Sequence, residues 1–240
     1  MKVIAPDYYR EFRCIADRCR HTCCAGWEVD IDEESLERFE SDPFIAEHID
    51  TDGSPHFRLD EDERCPFLRG DGLCELIIRH GEDVLCQTCR DHPRFRSYWT
   101  GRTEIGLGLV CEEAARLILS RSEPMKLVEL SDDGEDEELP EDEQWLLDVR
   151  ESMLAAVRET GARARLREYL IYRHIPDALY DDRLEQRAMF IERSFREITE
   201  AWERTDGSLE ALAEAARAWS YDVEYDDEEL EKRIASQDIS

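Results

Sequence analysis

The chain has 240 residues, enough to bury a real core in one domain or two. Sixty acidic residues face 31 basic ones, a formal net charge of −29, while 41% hydrophobic residues and five tryptophans point to a folded protein. Such a surface repels a phosphate backbone and argues against nucleic acid as a partner, whereas a basic protein, or a lysine presented by one, is attracted and steered.

The opening MKVIAPDYYR lacks the basic, apolar and small-residue regions of a secretory signal, and no apolar run approaches the eighteen or so residues of a membrane span. The expectation is a cytoplasmic protein with no membrane association. Trp27, Val29 and Ile31 alternate with polar residues and predict a short half-buried strand. Asp32 then caps a helix running through Phe39, with acids in its first turn matching the dipole. Phe57 and Leu59 suggest another short strand, and Gly70-Asp71-Gly72 a turn able to bring Cys65 and Cys74 together. The segment FRSYWTGRTEIGLGLV reads as two strands joined across Thr100-Gly101, and Ala114, Ala115, Ile118 and Leu119 as one face of a helix.

Between Ser131 and Glu143 the run SDDGEDEELPEDE holds nine acids and reads as an exposed linker. Beyond it the apolar residues recur at helical spacing: Trp145, Val149 and Met153, with Leu146 and Val157; Leu166, Leu170 and Ile171; then Leu184 to Trp202 and Leu209 to Trp219, with a last helix around Glu228 to Ile234. The expected fold is α+β and mainly helical, a small irregular cysteine-rich metal-binding module followed by a helical bundle. Its expected divisions are a module over 1–130, an acidic linker over 131–143 and a bundle over 144–240.

All nine cysteines lie between Cys14 and Cys111, among them the vicinal Cys23-Cys24, the pair Cys65 and Cys74, and Cys86-x-x-Cys89. An odd count and an expected reducing compartment disfavour a disulfide framework. Metal binding is favoured, since thiolates at short spacing converge on one cation or cluster without long loops. The candidate ligands are Cys19, Cys23, Cys24, Cys65, Cys74, Cys86 and Cys89, with Cys14 and Cys111 as bystanders. Redox exchange through Cys86 and Cys89 lacks a surrounding βαβ pattern and ranks last. Gly106-Leu107-Gly108 sits inside an apolar run, where it suits close strand approach better than a phosphate cradle.

The run FRCIADRCRHTCCAGWEVDIDEESLERF, followed by CPFL-RGDGLC and LCQTCRDHPRF, resembles the flagellin lysine-N-methylase family, part of a wider group with cysteine-rich zinc- or iron-chelating domains. The resemblance continues through IGLGLVCEEAARLIL and REYLIYRHIPDALYDD to WSYDVEYDDEELEKRI. It implies methyl transfer from S-adenosylmethionine to lysine side chains of flagellin or a similar surface protein, with a [4Fe-4S] cluster held by cysteines and zinc as the alternative metal. A non-catalytic zinc- or iron-binding protein is the competing reading. In that frame Arg90 and Arg94 are candidates for holding the cofactor carboxylate, as part of a basic stretch with Arg96 and Arg102. Tyr9 and Tyr98, with the neighbouring Tyr8 and Trp99, are candidates for orienting the lysine amine. His21 and His92 lie within the cysteine motifs as further ligand or supporting candidates.

Overall fold

The computed structural model describes residues 1–134 and 137–236. In chain order the elements begin with β1 (Lys2–Pro6), α1 (Glu33–Glu40), α2 (Pro43–Ala46), β2 (Ile49–Asp50), β3 (His56–Phe57), α3 (Glu75–His80) and α4 (Gln87–Asp91). There follow β4 (Arg94–Trp99), β5 (Arg102–Leu107), α5 (Glu112–Leu119), β6 (Leu127–Asp132), α6 (Glu141–Ala155) and α7 (Gly161–His174). The last are α8 (Ala178–Asp181), α9 (Leu184–Glu203), α10 (Leu209–Val223) and α11 (Asp227–Ala235). The α+β, mainly helical expectation holds.

The chain folds as two units whose division differs from the expected one. One unit comprises Met1–Arg13 together with Pro93–Ser240, and the other is Cys14–His92. The cysteine-rich segment is thus an insertion between β1 and β4, and the first residues belong to the unit formed mostly by the second half. The expected linker is partly structured. Leu127–Asp132 forms β6, and α6 already starts at Glu141. Residues 135 and 136 of that run lie outside the described residues, as do 237–240 of the expected bundle.

In the larger unit a four-stranded sheet has the order β4-β5-β1-β6. The hairpin read across Thr100-Gly101 is present, with Trp99 paired to Arg102 and Arg94 to Leu107. β1 lies parallel to β5 and antiparallel to β6, so a segment assigned no element from sequence takes a central place. Gly106 is opposite Phe95 in the β4–β5 register, and a Cβ there would drive into the Phe95 ring. The glycine therefore serves close packing, as its position in an apolar run suggested.

Helices α5, α7, α9 and α10 pack together. Ala114, Ala115 and Ala216 are fully buried, and their small side chains let α5 and α10 approach closely. Leu166, Leu170, Phe190 and Ile198 fill the layer between α7 and α9. The face of α6 differs from the expected one. Leu146, Leu147 and Arg150 are buried while Trp145 stands 57% exposed. What turns the helix is a buried ion pair, in which Arg150 Nη2 donates to Glu104 Oε1 at 2.9 Å; Arg102 also pairs with Glu104.

The smaller unit has little regular structure and a core of its own, built on Val29, Ile31, Phe39, Ile45, Phe57, Phe67 and Leu76. α1 begins where expected: Asp32 is its N-cap and Oδ1 accepts from Ser35 N at 3.0 Å. The expected strand at Trp27–Ile31 is reduced to an isolated bridge, Asp30 to His56, although Val29 and Ile31 are buried.

A candidate thiol-rich site

Five cysteines, Cys24, Cys65, Cys74, Cys86 and Cys89, pack in or against the core of the smaller unit. Short-range backbone structure brings them there. Cys65 N donates to the Cys24 carbonyl at 2.8 Å, tying the vicinal pair to the second motif across forty residues of chain. The turn at Gly72, where Gly72 N donates to Arg69 O and φ is +79°, folds Cys74 back into a bridge with Leu68, three residues after Cys65. Cys74 and Cys86 stand at the N-caps of α3 and α4, and Cys89 lies one turn into α4.

Helix α4 is held in place by the same carboxylate that caps α1. Asp32 Oδ2 accepts from Gln87 N at 2.7 Å, so one aspartate joins the N-termini of two helices 55 residues apart. Burial opposes its ionisation, but the N–H groups of Gln87 and Ser35 outweigh that and hold its pKa down to about 2.

The thiols divide into two kinds. A hydrogen bond from the Cys23 thiol, partly offset by burial, draws Cys24 down to about 7. A hydrogen bond from Cys89 likewise draws Cys86 down to about 7. Burial pushes Cys65 up to about 12 and raises Cys74. Cys89 is raised by its role as donor to Cys86 and by burial. The groups act on one another directly: Cys24, Cys74 and Cys86 each make Cys65 harder to ionise, and Cys24 and Cys65 do the same to Cys89. A fixed positive centre would relieve this repulsion. The donor chemistry, sulfur alone in an apolar surround, suits zinc or an iron–sulfur cluster. Among the described residues no three His, Cys, Asp or Glu side chains stand at coordinating spacing, and no disulfide joins the cysteines.

The structure thus gathers five of the seven cysteines expected as ligands. Cys23 is exposed and adjoins the group through its hydrogen bond to Cys24, while Trp27 Nε1 donates to its carbonyl at 2.9 Å. Cys19 closes the turn at Ala16–Arg18, outside this core. Of the bystanders, Cys14 is exposed and Cys111 caps α5 in the other unit. The His92 ring lies 6.0 Å from that of Trp27, and His21 is half-buried. Sequence reading missed the reach of Asp32 to α4. Its capping position was legible, but the second acceptor atom serves a residue too distant for any local pattern.

The other candidates are divided between the two units. Arg90 lies on α4 of the smaller unit and Arg94 on β4 of the larger one. Arg94 Nε donates to the Tyr9 hydroxyl at 2.9 Å, with its guanidinium 5.4 Å from the Phe12 ring centre. Tyr98 is 60% exposed, and its carbonyl accepts from the Tyr180 hydroxyl at 2.7 Å. Trp99 and Tyr8 are buried in the larger unit. Among the described residues no helix is long and apolar enough to cross a membrane.

Comparison with known proteins agrees with the motifs. Over 141 residues the chain is 26% identical to the lysine-N-methylases of Salmonella choleraesuis (strain SC-B67) and Salmonella typhimurium (strain LT2). The match takes in 53% of this chain and 35% of each relative, so the chain spans about a third of the length of these curated relatives. No family model matches, and no solved structure matches significantly. The family that the cysteine motifs resemble and the curated similarity thus agree, in that both name lysine-N-methylases.

Proposed function

We propose that the chain is a lysine methyltransferase, moving a methyl group from S-adenosylmethionine to the ε-amine of lysines on flagellin or a similar protein. The observation that carries this reading is the similarity to two lysine-N-methylases. In this reading Cys24, Cys65, Cys74, Cys86 and Cys89 supply the ligands of an iron–sulfur cluster, or of zinc. A centre of either kind, held by these cysteines, would offset the charge of the thiolates that bind it and would supply the cross-links that a loop-rich segment lacks.

For the transfer itself, the amine must be neutral and in line with the sulfonium methyl. Tyr9 and Tyr98 offer π faces and hydroxyl oxygens suited to orienting an ammonium. Because Arg94 donates to the Tyr9 oxygen, the Tyr9 O–H is left to turn toward another acceptor. The net charge of −29 favours encounter with a lysine-bearing protein.

The test is anaerobic purification, iron, zinc and sulfide analysis, then incubation with flagellin and S-adenosylmethionine bearing a deuterated methyl group. Labelled methyl-lysine in the digested flagellin is the expected result. A metal-replete sample that transfers no label to flagellin or to other lysine-bearing proteins refutes the enzyme reading. The second reading, a metal-stapled binding module, rests on the cysteines packed in and against the core of the smaller unit, and that outcome would leave it standing.

A further inference from the structure

β6 ends the four-stranded sheet, bonded to β1 on one side and, among the described residues, to no strand on the other. Five of its six residues are exposed, Leu127 and Val128 among them at 39% and 38%. The opposite edge is covered: Ser97 and Trp99 of β4 are buried, and the Tyr180 hydroxyl meets the Tyr98 carbonyl. An uncovered edge offers a row of backbone donors and acceptors to an extended chain that reaches it.

The register identifies those groups. Asp7 N donates to the Lys126 carbonyl at 2.7 Å, so Lys126 turns its backbone groups toward the β1 side. Antiparallel ladders alternate, which turns the backbone groups of Leu127 and Glu129 outward. Leu127 stands opposite Pro6, which has no N–H to give, in agreement with that phase. At the bulge opposite Val3 and Ile4 the Leu130 carbonyl accepts from Arg10 Nη2 at 3.0 Å. The open stretch is therefore short: the N–H and C=O of Leu127 and Glu129, enough to pair with one added strand.

Charge selects the occupant. Glu129 lies on the strand, and the run from Ser131 to Glu143 that continues it holds nine acids. A second copy of the chain would bring Glu129, Asp132 and Asp133 against acids of the same kind, and like charges facing across a ladder destabilise it. A segment with lysine or arginine at alternate positions meets Glu129 and the acids beyond it, while its apolar residues meet Val128 on the other face. We propose that β6 is the docking edge for an extended basic segment of a partner protein, which adds to the sheet as a further strand. A lysine-bearing substrate is such a partner. The edge works by binding alone, so its failure and that of the methyltransferase reading are separable.

Fluorescence anisotropy on the full chain tests it with three labelled peptides: (Lys-Val)4, (Glu-Val)4, and (Lys-Val)4 N-methylated at two adjacent central residues. Adjacent N-methyl groups block both edges of the peptide and leave its charge unchanged. The first should bind saturably, and the other two at least roughly tenfold more weakly. Leu127→Pro removes an outward donor and no charge, at a position whose N–H the sheet does not use, and should weaken (Lys-Val)4 about fivefold. Glu129→Lys should do the same through charge, and serves if the proline variant fails to fold. Hydrogen exchange should slow at the Leu127 and Glu129 amides when the peptide is bound. No binding, equal binding of the N-methylated peptide, an affinity unchanged in both variants, or protection confined to other amides would overturn the proposal. So would a wild-type dimer that Leu127→Pro dissolves, since it would assign the edge to a second copy.

Discussion

Replacing Asp32 should loosen the thiol-rich core more than its half-buried position suggests. The carboxylate makes two separable contacts: it caps α1 through Ser35 N, and it accepts from Gln87 N at the start of the helix bearing Cys89. A serine keeps the cap but is too short to reach Gln87, while alanine loses both. Loss of the charge-assisted bond is worth about 1.5 kcal/mol, and loss of the cap about 1 kcal/mol more. Cys86 is 1% exposed, so its thiol reacts with a disulfide reagent only after opening. In chelator-treated protein, under conditions where reclosing outpaces labelling, Asp32→Ser should speed the Cys86 reaction roughly tenfold and Asp32→Ala roughly 60-fold. The pH dependence has a definite sign. The folded pKa is held near 2, below the ordinary carboxylate value, so this contribution is fully present above about pH 4 and lost as pH falls toward 2. Hydrogen exchange at the Gln87 amide, compared with the serine variant after correction for intrinsic rates, should show that loss only in the wild type. Equal labelling rates in all three proteins would refute the argument that one aspartate holds α4 in place.

Four other outcomes follow from the geometry. Arg150→Met strands the Glu104 carboxylate, 1% exposed, with only Arg102 beside it, and should cost about 3 kcal/mol, seen as a fall of roughly 8 °C in melting midpoint. Gly106→Ala forces the Phe95 ring aside and should cost about 1–3 kcal/mol in denaturant titration, whereas Gly53→Ala, with open space around it but a positive φ, should pay only for backbone strain. Burial lowers the pKa of His174 even though Glu224 Oε1 lies 2.9 Å from Nε2, so the native state resists protonating it. Its contribution is present above the unfolded pKa near 6.5 and declines as pH falls below that, and a melting series from pH 7 to 5 should be flatter for His174→Gln than for wild type. Cys65→Ala or Cys86→Ala should abolish metal and sulfide content while Cys14→Ala and Cys111→Ala leave it intact; retention in the first pair would dismiss the proposed ligands.

Local signals were legible and long-range ones were not. The Asp32 cap, the hairpin across Thr100-Gly101 and helices α5, α7, α9 and α10 each follow from residues within one or two turns of one another. The face of α6 does not, because the heptad-like run of Trp145, Val149 and Met153 competes with a charge pair whose other half, Glu104, is 46 residues away. β1 is too short and too evenly apolar to show alternation, and its strand identity depends on β5 and β6 being there to pair with it. Cysteine spacing placed the thiols in one stretch of chain; which of them share the core of the smaller unit depends on the Cys24–Cys65 backbone bond and the turn at Gly72, which no spacing encodes.

The parallel pairing of Lys2 with Arg102 has an effect on biogenesis. β1 must wait for about a hundred further residues before its neighbour β5 exists, and the whole thiol-rich segment is synthesised in the interval. Closing so long a loop costs little more than closing one half its size, because the entropy grows only with the logarithm of length. Deleting the opening hexapeptide should consequently injure the distant carboxy-terminal helices while sparing the segment next to it.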